Sequence, residues 1–213
     1  MKNFLHNGRQ ALLVTIVLLL ICGLLFPLLL TGLSKVFFPS QAAGSLVTVD
    51  GQVVGAKNVG QEFTEDYYLW GRPSAYHYNS YVEGEDGTPY YTDGTPFSGL
   101  GSGSNNYAPS NPALAERVEQ DLEAFLKKNP DVKKENIPTD LLTASGSGLD
   151  PHISPASAEI QIPRIAKASG LDEEKLREII KNNTSGKLFG IFGEETVNVL
   201  KVNIEIAKNM GIL

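Results

Sequence analysis

The sequence predicts an α+β fold: a single N-terminal transmembrane helix followed by one compact domain with a few short strands and about three to four helices. Three observations predict it. Ala11 to Leu33 reads ALLVTIVLLLICGLLFPLLLTGL, with no charge between Arg9 and Lys35. The chain beyond it alternates helical and strand-like apolar patterns within a length suited to one domain. Glycine, proline and serine clusters, rather than long linkers, separate those patterns.

A bilayer core of about 30 Å needs roughly 20 apolar residues at helical rise, so the first run spans with some tilt despite Pro27. Met1 to Gln10 carries Lys2 and Arg9 with no acid. The excess of basic charge on that side puts the N-terminus in the cytoplasm and the bulk of the protein outside. The expected organisation is a cytoplasmic N-terminus at 1–10, a transmembrane helix at 11–34 and an extracytoplasmic α+β domain at 35–213, the whole a single-pass protein of the cell membrane. A cleaved leader is the competing reading, because Ser40, Gln41 and Ala42 supply small residues. The apolar run, however, exceeds the about 7–15 residues of a leader's core. Gly23, Thr31 and Gly32 are small residues against which a partner helix could pack.

Ser45 to Val54 reads SLVTVDGQVV, two β-prone runs joined by Asp50 and Gly51, the signature of a hairpin with a type I′ turn. Tyr67 to Trp70 is a further strand candidate, closed by GRPSA at Gly71 to Ala75. Tyr76 to Tyr107 is rich in glycine and tyrosine and has no helical period; its acidic tip, Glu83, Glu85 and Asp86, reads as a solvated loop. Asn111 then caps a helix opened by Pro112, with Leu114, Val118, Leu122, Phe125 and Leu126 on one face and Lys127, Lys128 at its end. Leu141 to Thr143 reads as a short strand. Ser154 and Pro155 open a helix to about Ser169, kinked by Pro163 and stopped by Gly170. Asp172 starts another, with Leu176, Ile179 and Ile180 inward. Val197 to Met210 fits both periods, and its length favours a helix.

Lys2, Arg9 and Lys35 are the only charges up to position 35, so all 24 acidic residues lie beyond it and that part is more negative than the whole chain's −6. Such a surface disfavours nucleic acid and anionic lipid. Cys22, the single cysteine, lies in the membrane run, which excludes an internal disulfide and a cysteine metal site. His6, His77 and His152 are isolated, with no helical pair suited to a metal.

The cluster that could hold catalytic chemistry is TASGSGLDPHISP, Thr143 to Pro155, which places Ser145, Ser147, Asp150 and His152 within one loop. A hydrolase would need nucleophile, base and orienting group to converge, which residues so close in sequence seldom do, and GxSxG is absent. Gly99 to Ser104, GLGSGS, lacks the lysine ending of a phosphate loop, although glycine-turn amides bind anions without a motif. Arg72, Asn105, Asp150, His152 and Asn198 are the candidates for interface or loop architecture.

With these blocks in view, the chain resembles the C subunit of the Kdp potassium-transporting P-type ATPase of bacteria. The resemblance runs from GSLV near Gly44 through GRPSA, PSNP at Pro109 to Pro112 and TASGSGLDPHISP to QIPRIAKA at Gln161 to Ala168 and VNVLKVN at Val197 to Asn203. It implies a non-catalytic subunit of a complex that imports potassium using ATP. The implied partners are a pore-forming potassium-binding subunit, an ATP-hydrolysing subunit and a small membrane subunit. It further implies a catalytic chaperone that raises the hydrolytic subunit's affinity for ATP, with Gln161 and the neighbouring Ser145 and Ser147 tied to nucleotide. No cofactor of its own is implied, only ATP shared with the hydrolytic subunit. The charge bias stands against direct contact, since it puts Gln161 on the far side of an apolar layer about 30 Å thick from cytosolic ATP. A domain that braces or covers the potassium entrance, or a free-standing anchored surface-binding domain, is the alternative.

Overall fold

The computed structural model describes residues 2–213, which divide into two compact units, the first ending at residue 46 and the second spanning 47–213. The first is helical: α1 (Lys2–Leu20), a π-helical turn at Ile21–Leu25, α2 (Phe26–Phe37) and the short α3 (Pro39–Ala42). From His6 to Phe37 it forms one continuous helix of 32 residues, long and apolar enough to cross a membrane. Pro27 does not break it. Proline offers no N–H to the preceding turn, and the wider π turn just upstream absorbs the mismatch, leaving Pro27 in the first turn of α2. Its leucines and phenylalanines are exposed along the whole length, which hydrocarbon tolerates and water does not.

The expected hairpin forms from β1 (Leu46–Val49) and β2 (Gln52–Ala56). Asp50 and Gly51 between them have φ of 49° and 82°, the two positive angles of a type I′ turn. The tyrosine-rich stretch is less irregular than its sequence suggests, because β3 (Val82–Glu83) and β4 (Pro89–Tyr90) pair antiparallel. Phe97 packs between the rings of Tyr81 and Tyr91. The acidic residues at the hairpin tip stay exposed.

α4 (Pro112–Lys128) is capped by Asn111, whose side chain accepts from the Ala113 N–H at 3.0 Å. It buries Leu122 and Phe125. β5 (His152–Ile153), α5 (Pro155–Glu159), α6 (Ile162–Ser169), α7 (Glu173–Asn182), β6 (Thr184–Ser185), β7 (Thr196–Asn198) and α8 (Val199–Met210) complete the unit. β7 lies between β5 and β6, antiparallel to both, with Val197 opposite Ile153 on one side and Thr184 on the other. The helices close over this small sheet around Ile153, Ile162, Ile165, Leu176, Ile179 and Ile206.

Three sequence expectations are corrected. The helix from Ser154 to Ser169 is two helices rather than one kinked helix: the break falls at Ile160 and Gln161, before Pro163, because proline cannot donate to the Glu159 carbonyl and its ring crowds it. Leu141 to Thr143 is no strand; a 3₁₀ turn at Thr139–Leu141 ends there. Tyr67 to Trp70 joins none of the three sheets, and side-chain amides take the place of a neighbouring strand at Leu69 and Trp70. Gly170 does stop α6 in the left-handed conformation, at φ 74°.

Candidate functional site

The two glycine–serine loops singled out in the sequence pack on each other. Gly103 N–H and Ser102 Oγ both donate to the Ser147 carbonyl, at 2.7 and 3.0 Å. Gly148 has φ 66°, and a Cβ there would stand 2.5 Å from the Gly103 carbonyl, so only glycine allows the approach. Ser145 is buried, and its Oγ accepts from the Gly148 N–H at 2.9 Å; Ser147 Oγ accepts from the Leu149 N–H at 3.1 Å. These serines shape turns, with hydroxyls and amides satisfied locally.

Asp150 sits where this loop meets the sheet. One carboxylate oxygen accepts from Arg72 Nη1 at 3.0 Å; the other accepts from the His152 N–H at 3.0 Å and lies 3.5 Å from His152 Nδ1. The His152 side chain above all, together with the His152 N–H and Arg72, holds the Asp150 carboxyl below its ordinary range against the opposing effect of burial. Arg72 also donates to the Thr143 and Ala144 carbonyls, so one guanidinium joins three points of the loop. The Tyr78 hydroxyl donates to the Arg72 carbonyl at 2.8 Å, and burial pushes its ionisation far up. Asn198 lies 3.5 Å from His152 Nε2, donates to the Lys57 carbonyl and caps α8 by accepting from the Lys201 N–H. His152 therefore faces Asp150 and Asn198, not a serine hydroxyl, and the geometry offers no activated nucleophile.

Gln161 belongs to a different cluster. It has no accessible surface. Its Oε1 accepts from the Trp70 N–H at 2.9 Å and Arg164 Nη2 at 2.7 Å, while Nε2 donates to the Trp70 and Ser157 carbonyls. Asn203 of α8 exchanges the same pair of bonds with Leu69, the residue before Trp70: its Oδ1 accepts from the Leu69 N–H and its Nδ2 donates to the Leu69 carbonyl. Two amide side chains thus satisfy the backbone of Leu69 and Trp70 as a strand would. Arg164 reinforces the clamp, stacked 4.0 Å from the Trp70 ring and donating to Asn129 and the Tyr68 carbonyl. Burial draws its guanidinium down to about 10, which leaves it charged at neutral pH.

The structure therefore brings Arg72, Ser145, Ser147, Asp150, His152 and Asn198 into one continuous bonded region and leaves two expected residues outside it. Gln161 lies in the amide clamp, and Asn105 is exposed on the rim of an open cleft of about 1040 Å³ that Arg72, Arg117 and Lys128 also line. Sequence reasoning missed Asn203, Arg164 and Asn129. The signal was available for Asn203 and Arg164, polar residues on the inward stripes of apolar helices, which burial forces to find partners.

Comparison with known proteins covers nearly the whole chain. The family described as K+-transporting ATPase, c chain, matches residues 8–208. The Potassium-transporting ATPase KdpC subunit of Clostridium kluyveri is 57% identical over 212 residues, covering 100% of this chain and 98% of its own length. The protein of that name from Clostridioides difficile is 57% identical over 205 residues, covering 96% and 98% of the two chains. That of Caldanaerobacter subterraneus is 41% identical over 202 residues, or 95% of each. Matched over nearly its whole length by one family and by relatives this similar, the chain belongs to the KdpC family, the c chain of the K+-transporting ATPase.

Proposed function

We propose that this chain is the membrane-anchored, non-catalytic subunit of an ATP-driven potassium import complex, and that its domain stands outside the cell, bracing the pore subunit at the potassium entrance. Membership in the family supports the complex and the cargo, and the apolar helix supports the anchor. The single observation that carries the orientation is the charge pattern about that helix: Lys2 and Arg9 precede it without an acid, whereas all 24 acidic residues follow it. The pore-forming, ATP-hydrolysing and small membrane subunits are the partners this reading requires.

A specific observation favours bracing over direct nucleotide contact. Gln161 is wholly buried with both polar atoms bonded within the chain, and Ser145 and Ser147 are spent on their own turns. An effect on ATP affinity in the hydrolytic subunit then travels through packing of the membrane helix, which biases that subunit's states without touching ATP.

Side-specific labelling tests this. With Cys22→Ser removing the native thiol and Glu85→Cys placing one at an exposed position, intact cells receive a membrane-impermeant maleimide. Labelling without permeabilisation is the expected result. Protection until the membrane is opened would put the domain beside cytosolic ATP and overturn the proposal.

A further inference from the structure

We infer that the tip of the β6–β7 hairpin, Leu188 to Phe192, is an apolar plug that seats in a hydrophobic socket on another subunit of the potassium-transporting complex; this rests on the complex membership proposed above. Leu188, Phe189, Ile191 and Phe192 are 63%, 84%, 74% and 63% exposed. Elsewhere in residues 47–213 the exposed large apolar side chains are scattered singly or in pairs, as on any soluble surface. Four within five residues form a contiguous patch, which a free domain in water disfavours.

The patch is held out rather than left loose. Leu188 N–H donates to the Phe192 carbonyl at 2.8 Å and Phe192 N–H returns to the Leu188 carbonyl at 3.0 Å, while Gly190 N–H donates to the Lys187 carbonyl at 3.0 Å. Phe189 has φ 53°, between a paired Leu188 and a left-handed Gly190 at 73°. A bulky residue in that region costs free energy, which the paired turn has to offset, and the Phe189 ring it carries is left exposed. The hairpin continues into β7, the central strand of the buried sheet, so the tip has a rigid base. A preorganised aromatic pair loses little entropy on docking and suits the central anchor of an interface.

Charge decides between a protein socket and the bilayer surface. Lys187 on one side of the tip is outweighed by Glu194 and Glu195 on the other, and the chain beyond Lys35 is acidic overall. Membrane surfaces carrying anionic lipid repel such a flank, and lipid-dipping loops usually bring basic residues with them. A neutral, apolar recess in a partner protein carries no such penalty.

The full chain, tagged and expressed with the other subunits of its ATPase, is purified in mild detergent with p-benzoylphenylalanine at position 189 and irradiated. A covalent adduct to another subunit, mapped by mass spectrometry to an apolar surface, is expected. An adduct to phospholipid, an adduct to a second copy of this chain, or none while the other subunits co-purify overturns the inference. As a second reading, Phe189→Asp combined with Phe192→Ser lowers retention of the other subunits about tenfold or more, the loss expected for interface anchors. The thermal midpoint of the variant chain stays within about 2 °C of the parent, because the side chains removed lie outside the core. Full retention by this variant overturns the plug alone. Failure of the unmodified chain to retain any subunit overturns complex membership, and the plug with it.

Discussion

Gln161 illustrates how one side chain's surroundings limit its role. An amide with no accessible surface and four bonds to Trp70, Ser157 and Arg164 has nothing left to offer a ligand. Replacing it by leucine leaves the half-buried Trp70 N–H and carbonyl and the buried end of Arg164 without these partners. Gln161→Leu is expected to cost about 2–4 kcal/mol, read as a lower urea midpoint of the full chain in detergent. Asp150 yields a pH prediction instead. Its carboxyl is held below the ordinary range by His152 first and Arg72 next, so its folded value lies under its unfolded one. The stability it contributes is complete above the unfolded value of about 4 and is lost as pH falls through the lowered folded value. Denaturation of the parent and of Asp150→Asn, compared from pH 6 down to about pH 3, should show the gap between them closing below about pH 4.

At the scale of elements, local chemistry and tertiary demand divide the work. The β1–β2 turn follows from Asp50 and Gly51 alone, since few residue pairs accept two positive φ angles. The junction of β7 and α8 depends on Asn198, which caps the helix through Oδ1 and reaches the Lys57 carbonyl through Nδ2. Asn198→Ala removes both and should destabilise by about 1–2 kcal/mol, whereas Asn198→Asp keeps the cap and should lose less. Thermal unfolding of the two variants side by side separates the cap from the bridge to Lys57. Gly170 is a purely conformational case. Nothing lies within 4 Å of a Cβ built there, so Gly170→Ala should cost only about 1 kcal/mol, from the positive φ itself.

For the whole molecule, charge is the property with functional reach. Glu83, Glu85 and Asp86 remain exposed at the tip of the β3–β4 hairpin, and an acidic surface near a pore entrance enriches cations slightly. Neutralising the three as Gln, Gln and Asn should lower potassium uptake at limiting potassium by less than about twofold. Raising the ionic strength to about 0.15 M should erase the difference, because exposed charges are then screened beyond about 8 Å. Equal uptake at low ionic strength would argue that the tip lies away from the ion path.

The sequence by itself determined the membrane helix, the acidic domain beyond it, the β1–β2 hairpin, the caps at Asn111 and Gly170 and the family. Each of these rests on composition or on neighbours within a few residues, where backbone sterics and hydropathy act without the rest of the chain. Only the tertiary structure decided that Tyr67 to Trp70 takes its hydrogen bonds from Gln161 and Asn203, 91 and 134 residues distant, instead of from a strand. It likewise decided that Arg72 closes on Asp150 across 78 residues and that Leu188 to Phe192 is left uncovered. Burial obliges a polar group to be bonded but does not name its partner; that choice belongs to whichever donor or acceptor the packing of distant elements brings within reach.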